Sequence, residues 1–145
     1  MSSLSKNFSE WEFQCRCGCG IMLVQHKLID ALEKLRVVAE NRPIHILSGC
    51  RCKPHNYIVG GTTLSFHLCG GPFRDEACAA DIVIAGLGVR RMFRHARDVD
   101  EFRDGGIGIY IEEGFIHVDV RGEVARWCRE QKSSPRYSKI PRNYY

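Results

Sequence analysis

Apolar residues recur at helical spacing in two stretches of the chain. The stretch from Val24 to Asn41 predicts an amphipathic helix from apolar positions three or four residues apart, which are Leu28, Leu32, Leu35 and Ala39. A second amphipathic helix is predicted by Val89, Met92, Phe93, Ala96 and Val99. Pro43 ends the first helix because proline lacks a backbone donor, and a short strand, Ile44 to Leu47, is expected to follow.

Three strands are predicted in the second half of the chain, two of them from alternating apolar residues. Ala79 to Ala85 is one candidate strand, and a hairpin follows later, with isoleucines at 107, 109 and 111, a turn at 112–114 and a return strand at 115–120. The return strand should direct Ile116 and Val118 to the core, and His117 and Asp119 to the opposite face. Residues 48–71 show little periodicity and predict a structured loop region with one helical turn after Pro54.

The order of these elements predicts an α+β domain with a small, largely antiparallel sheet and flanking helices. A chain of 145 residues has the length of one ordinary domain. We expect a single domain over residues 1–145, with a core at 7–127 and a basic C-terminal tail at 129–145. No apolar run approaches the roughly 20 residues that cross a membrane.

The charge and the N-terminal sequence bear on the binding partners and the cellular location of the protein. The formal net charge is +4, and the tail alone has five basic residues against one acidic residue. A basic tail can dock on an anionic wall polymer or a nucleic acid, but we expect a solvated tail, no nucleic-acid partner and a monomer. The N-terminus lacks the apolar segment of a signal peptide, so we expect synthesis in the cytoplasm without standard secretion.

Eight cysteines are many for such a chain, and two interpretations stay open. The preferred one is structural thiols or disulfides, with Cys69 and Cys78 as a suggested pair around a short segment. The alternative is a second, structural zinc site drawn from Cys15, Cys17, Cys19, Cys50 and Cys52. The first three of these lack the two-residue gaps that are usual in zinc ribbons.

Three residues supply the donors that a hydrolytic zinc site needs. Such a site has three protein ligands and an open position, and imidazole nitrogens with one carboxylate suit Zn²⁺. His67 in a loop, Asp81 at the start of a strand and His117 on the return strand form such a set. We therefore predict one catalytic Zn²⁺ on these residues.

The surrounding segments resemble the zinc D-alanyl-D-alanine carboxypeptidase family. This family includes vancomycin-resistance dipeptidases and phage cell-wall endopeptidases, and it shares its fold with the amino-terminal domain of hedgehog proteins. Its pattern is Ser-Gly-x-Arg, then Ser-x-His-x-x-Gly-x-Ala-x-Asp, then a late histidine on a strand. Here 48–51 match the first part, 65–67 with 79–81 match the second, and His117 matches the third. The run Phe13-x-Cys15-x-Cys17-Gly-Cys-Gly also resembles the start of small phage-type members, and the likeness covers roughly residues 7 to 127.

The resemblance implies a zinc peptidase that cuts peptidoglycan peptides, either a D-Ala-D-Ala carboxypeptidase or a murein endopeptidase. A compact single domain without a signal peptide fits a phage or prophage enzyme that acts on the wall after release or as part of the virion. Arg51 is expected to grip a substrate carboxylate or carbonyl oxygen, for which the guanidinium fork is suited. Ser65 is expected to bind substrate or to orient a ligand.

Two departures from the family pattern bear on the site. The gap from His67 to Asp81 is fourteen residues rather than seven, so we interpret 69–78 as an insertion. Asp75 lies in this segment and is a rival ligand, but we prefer Asp81. The position three residues before His117, where many members carry the catalytic acid, is Gly114.

Some acid/base must still activate water and protonate the leaving amine. Asp119 is the first candidate because it shares the strand face of His117, and Glu113 in the turn is the second. Glu112, or no base at all, are the remaining options, and Asp119 could instead simply pair with Arg121. Without a base, the chain would be a non-catalytic zinc-containing binding module of the same fold. A cysteine-zinc nucleic-acid module is a weaker rival.

Overall fold

Five strands and five short helices follow one another in a computed structural model that describes residues 2–145. The helices are α1 Glu10–Phe13, α2 His26–Val38, α3 Lys53–Ile58, α4 Val89–Arg97 and α5 Asp100–Arg103. The strands are β1 Ile44–Ser48, β2 Ala79–Ile84, β3 Gly106–Tyr110, β4 Phe115–Asp119 and β5 Ala125–Arg129. A 3-10 turn, Arg142–Tyr144, lies near the C-terminus.

The five strands form one sheet in the order β1-β2-β4-β3-β5. Neighbouring strands are antiparallel, except that β5 runs parallel to β3. The predicted α+β class with a small, largely antiparallel sheet and flanking helices is confirmed. Among the described residues, no helix combines the length and the apolar character that a membrane crossing requires.

The predicted helices and strands exist, with some shifts at their ends. Helix α2 is shorter than predicted, because the backbone turns left-handed at Glu40 and Asn41, both at φ 59°. The second predicted helix corresponds to α4, which ends at Arg97, and the separate short helix α5 begins at Asp100, beyond the predicted stretch. The expected turn after Pro54 is helix α3, in which proline occupies the first turn, where its missing N–H costs no hydrogen bond.

The apolar core lies between one face of the sheet and the helices. Fully buried side chains from α2, α4 and the strands include Leu28, Leu32, Leu35, Met92, Phe93, Ile82, Ile107, Ile109 and Ile116. This packing directs the alternate residues of β2 and β4 to the other face. There Asp81 and His117 point away from the helices, as the alternation in β4 predicts.

The C-terminal segment contacts the domain at several points. Strand β5, which the sequence did not predict, adds to the sheet edge beside β3, and the backbones of Cys128 and Ser138 exchange two hydrogen bonds of 2.8 and 2.9 Å. Ile140 is buried against the core, and Arg94 donates a hydrogen bond to the carbonyl of Tyr144. The tail therefore contacts the domain near both of its ends, while most residues from 131 to 139 are exposed.

Candidate active site

A row of directly paired residues crosses the whole sheet on the face that lies away from the helices. Register pairs Ser48 with Asp81, Asp81 with His117, His117 with Gly108, and Gly108 with Trp127. Paired residues in neighbouring strands point to the same side of a sheet. The pairing therefore sets Asp81 and His117 side by side at the centre of this row.

The third candidate ligand approaches the row from the loop before β2. His67 Nε2 lies 3.2 Å from His117 Nδ1 and 3.3 Å from Asp81 Oδ1, and His117 Nδ1 lies 3.2 Å from the same carboxylate oxygen. A tetrahedral ion with nitrogen or oxygen donors at about 2.0–2.1 Å holds those donors about 3.3–3.4 Å apart. The three donor atoms therefore have the spacing of one face of a tetrahedral zinc site.

Hydrogen bonds on the far side of each imidazole decide which ring nitrogen is free. His67 Nδ1 lies 2.7 Å from the carbonyl oxygen of Gly49, which can only accept, so this nitrogen carries the proton and Nε2 is left as a lone pair. His117 Nε2 lies 2.7 Å from Asp119 Oδ2, so in the neutral imidazole the proton lies on Nε2 and Nδ1 is the lone pair. Two lone pairs and an anionic oxygen thus face one another, an arrangement that repels unless a cation lies between them.

Burial and charge act in opposite directions on the titratable groups of this site. Burial lowers the pKa of His67, against the charge of Asp81. Burial also acts to lower the pKa of His117, but the nearby carboxylates of Asp119 and Asp81 favour the protonated ring, outweigh burial and raise that pKa. Burial acts to raise the pKa of Asp81, but the interactions with the two histidines hold it well below its usual range. Asp81 is therefore ionised at neutral pH.

Arg51 holds the second oxygen of Asp81. Its Nη2 donates to Asp81 Oδ2 at 3.1 Å, its Nε donates to Ser48 Oγ at 3.1 Å, and its Nη1 donates to Asn56 Oδ1 at 3.4 Å. The Arg51 side chain is 14% exposed and lines the cleft above the three donors. Arg51 therefore orients Asp81, and part of its guanidinium group remains exposed to the cleft.

Ser65 lies at the rim of the same cleft. Its hydroxyl accepts a hydrogen bond of 3.2 Å from the backbone N–H of His67, and the residue also lines the cleft wall. Asp75, the rival ligand, is exposed and is not one of the three residues whose donor atoms converge. The structure therefore brings His67, Asp81 and His117 together and leaves Asp75 outside the group.

Asp119 lies behind His117 rather than in the cleft. It is 0% exposed, and Oδ2 accepts hydrogen bonds of 2.7 Å from both His117 Nε2 and Arg121 Nη2. Its Oδ1 accepts from the backbone N–H of Gly106 at 2.9 Å and from Arg121 Nε at 2.9 Å. Hydrogen-bond donors of the protein therefore surround both carboxylate oxygens of Asp119. This placement argues against our prediction of Asp119 as general base, and it supports a role in orienting His117.

Glu113, the second candidate base, is paired with Arg129 in the hairpin turn and does not line the cleft. Gly114 has φ 74°, and its N–H donates to the carbonyl of Tyr110 to close the turn. An acidic residue at that left-handed position would be strained. The hairpin geometry therefore accounts for the glycine where many family members carry an acid.

Aromatic side chains that the sequence reasoning missed form one wall of the cleft. The cleft has a volume of about 340 Å³, and its aromatic wall consists of Phe66, Tyr110, Trp127 and Tyr137. Trp127 lies over Gly108, where an added Cβ would approach the indole to 2.3 Å. Trp127 and Tyr137 come from β5 and the segment after it. Only the unpredicted parallel pairing of β5 with β3 brings them to the site.

A family model described as Peptidase M15 matches residues 6–119. The chain belongs to this family. M15 enzymes are zinc peptidases that act on peptidoglycan, which agrees with the family predicted from the sequence motifs. Comparison with curated proteins and with solved structures gave no significant match.

Within this M15 domain, the cysteines pair differently from the suggestion above. Cys50 and Cys69 form a disulfide, so the suggested Cys69–Cys78 pair is wrong and Cys50 is not available as a ligand of a second metal. Cys78 is a buried free thiol. The pairing follows from the fold, because the backbones of Arg51 and Cys69 are hydrogen-bonded at 3.2 Å and bring the neighbouring thiols together.

Proposed function

We propose that His67, Asp81 and His117 hold a catalytic zinc ion, and that the chain uses it to hydrolyse peptide bonds next to D-alanine in peptidoglycan. The observation that carries this proposal is the convergence of three potential ligand atoms, 3.2 to 3.3 Å apart, at the floor of a cleft. Membership of the M15 family supports it independently. When bound, zinc supplies a Lewis acid that activates water and polarises the scissile carbonyl.

Asp119 acts, in this proposal, as a positioning residue. Its carboxylate fixes the ring of His117 and holds the proton on Nε2, so that Nδ1 faces the metal. Burial acts to raise the pKa of Asp119, but the hydrogen bonds with His117 and Arg121 hold it well below its usual range. A carboxylate that stays ionised and enclosed serves as a fixed charge rather than as a proton carrier.

Tyr110 is the side chain that we propose as donor to the developing oxyanion. Trp127 Nε1 donates to its hydroxyl oxygen at 3.1 Å, and since an indole can only donate, the hydroxyl hydrogen is left to bond elsewhere. Burial raises the pKa of Tyr110, so the group keeps its proton at neutral pH. A preorganised donor of this kind stabilises the transition state more than the ground state.

Arg51 and Ser65 are proposed to bind the substrate. Arg51 brings positive charge to the cleft wall beside Asp81, which suits a carboxylate or a carbonyl oxygen of a cell-wall peptide. The hydroxyl of Ser65 accepts from the backbone of His67 and still has a hydrogen to donate. The proposal covers a carboxypeptidase and an endopeptidase, and product masses distinguish the two. We propose phage or prophage origin on the resemblance of residues 13–20 to small phage-type members.

Purified peptidoglycan, with and without a chelator, tests this function. We expect released peptides whose masses show either loss of a terminal D-alanine or cleavage of a cross-link, and no release with chelator. His117→Ala should abolish release, while His45→Ala, at an exposed histidine of β1, should retain it. Release that is unaffected by chelator or by His117→Ala would overturn the proposal.

A non-catalytic zinc-binding module is the second candidate function. One observation favours it, because Asp81 is the sole carboxylate that lines the cleft within residues 2–145, and it is already a ligand candidate. This alternative predicts zinc bound in a 1:1 ratio at the cleft, with no hydrolysis of peptidoglycan. The chelator assay combined with zinc analysis therefore decides between the two functions.

A further inference from the structure

Four thiols that the proposed reaction does not use meet near the N-terminus. They belong to Cys15, Cys17, Cys19 and Cys52, and their sulfur atoms all lie within 4.8 Å of one another. Cys15 Sγ lies 3.5 Å from Cys17 Sγ and 3.7 Å from Cys52 Sγ, and the Cys17 and Cys52 sulfurs are also 3.7 Å apart. The cluster joins a loop at residues 15–19 to the end of the segment that follows β1.

These distances do not correspond to disulfides. Bonded sulfurs lie about 2.05 Å apart, and the four thiols are all free, while the disulfide of the chain joins Cys50 to Cys69. Four thiolates at about 2.3 Å from a tetrahedral zinc ion lie about 3.8 Å from one another. The separations of 3.5 and 3.7 Å among Cys15, Cys17 and Cys52 are therefore close to those of a tetrathiolate site, and Cys19 lies within 4.8 Å as the fourth thiol.

The local backbone explains how a Cys-x-Cys-x-Cys run can surround one ion without the two-residue gaps of zinc ribbons. Gly18 and Gly20 have φ 85° and 83°, a left-handed conformation in which glycine is unstrained. The N–H of Cys15 donates to the carbonyl of Ile21 at 2.9 Å and closes the loop. The chain thus folds back on itself, so that the three thiols of the run meet Cys52.

We propose that Cys15, Cys17, Cys19 and Cys52 bind a second Zn²⁺ that is structural. Four thiolates complete a tetrahedral shell and leave no open position for a substrate or an activated water. The backbone N–H of Cys52 points at the sulfur of Cys15 at 3.4 Å, a weak bond that stabilises an anionic sulfur. This ion would attach the N-terminal segment to the domain.

The second ion also bears on the catalytic centre, a part of the inference that rests on the proposed function. Cys52 ends the segment 49–52, in which the carbonyl of Gly49 accepts from His67 Nδ1 and Arg51 donates to Asp81. The N–H of Arg51 also donates to the carbonyl of His67 at 2.7 Å. A metal that fixes residue 52 therefore fixes the groups that orient two of the three catalytic ligands.

Metal analysis and cobalt spectroscopy test the second site. Protein purified under reducing conditions should contain two zinc ions per chain. Replacement by Co²⁺ should give the sulfur-to-cobalt charge-transfer absorption that only thiolate ligands produce. His67→Ala should lose one ion and keep this absorption, whereas Cys17→Ser should lose the absorption and keep the cleft ion with about 10–100-fold lower affinity.

Cys128→Ala is the matched control, because Cys128 is a free, buried thiol outside the cluster, and it should keep both ions. If Cys17→Ser does not fold, the cobalt spectrum and zinc content of the unmodified chain still decide the question. One zinc per chain, lost in His67→Ala and without thiolate absorption, would overturn the second site and leave the proposed function intact. Disulfides among the four cysteines in reduced, metal-replete protein would also overturn it.

Discussion

Asp119→Asn distinguishes a residue that orients His117 from one that carries a proton. The substitution keeps the shape of the side chain but replaces one oxygen by an NH₂ group. Both oxygens accept hydrogen bonds, Oδ2 from His117 Nε2 and Oδ1 from the N–H of Gly106. Either orientation of the amide therefore sets a donor against a donor. The partly buried guanidinium of Arg121 also loses its ionic partner.

The size of the effect follows from the position of Asp119, which contacts the proposed metal ligand His117 on the side away from the cleft. Loss of such a partner typically weakens metal affinity by about 10–100-fold, or about 1.4–2.7 kcal/mol. If the amide nitrogen faces His117, the imidazole proton moves to Nδ1 and blocks the lone pair that faces the other donors. We therefore expect zinc affinity to fall, and hydrolysis to fall with zinc occupancy.

The assay is hydrolysis of peptidoglycan measured over a range of free zinc, with affinity measured by competition against a chromophoric chelator. Saturating zinc should restore the activity of Asp119→Asn to within a few-fold of the unmodified chain. Asp104→Asn, at an exposed surface carboxylate, is the control and should change neither quantity. Loss of a general base costs about 10²–10⁴ in rate and is not restored by metal. Unchanged zinc affinity with such a loss would refute the positioning role and return Asp119 to the role of base.

Three further predictions concern the cleft wall and the N-terminal segment. Tyr110→Phe should lower kcat by about 10-fold or more with little change in KM or zinc content, as expected for a donor to the oxyanion, and a change in KM alone would contradict this. Gly108→Ala should reduce the free energy of unfolding by about 1–3 kcal/mol in a denaturant titration, because the new methyl group meets Trp127. Burial acts to raise the pKa of Glu33, but hydrogen bonds from the N-terminal segment lower it. The ionised carboxylate of Glu33 therefore stabilises the fold fully above about pH 4.3, and this stabilisation is lost as pH falls through the folded pKa. Glu33→Gln should lower the free energy of unfolding by about 1 kcal/mol at pH 7 and should not change it at the lowest pH.

Local patterns predicted much of this fold. Helical spacing placed α2 and α4, and alternation placed β3 and β4 with the correct face of His117, because these signals depend only on residues close together in the chain. The motifs also indicated the residues that converge in the cleft. What the motifs could not supply was the surroundings of each side chain, since those depend on which distant segment packs beside it.

Strand β5 shows this limit clearly. The run Ala125–Arg129 has two arginines and weak alternation, so nothing local predicts a strand, yet its parallel pairing with β3 carries Trp127 into the cleft. Asp119 likewise shares a strand face with His117, as predicted. Its enclosure by Arg121 and Gly106, which no local pattern predicts, supports our proposal that it positions His117.

The sequence by itself determined the family, the fold class and the donor types, because motifs and periodicity are properties of the chain read in order. Only the tertiary structure decided that Cys50 pairs with Cys69 while Cys52 joins the thiol cluster. The spacing of Cys50 and Cys52 does not say which distant segment each thiol meets, because the partner of each depends on packing across the fold. Distances of a few ångströms between residues far apart in the chain are fixed by that packing alone.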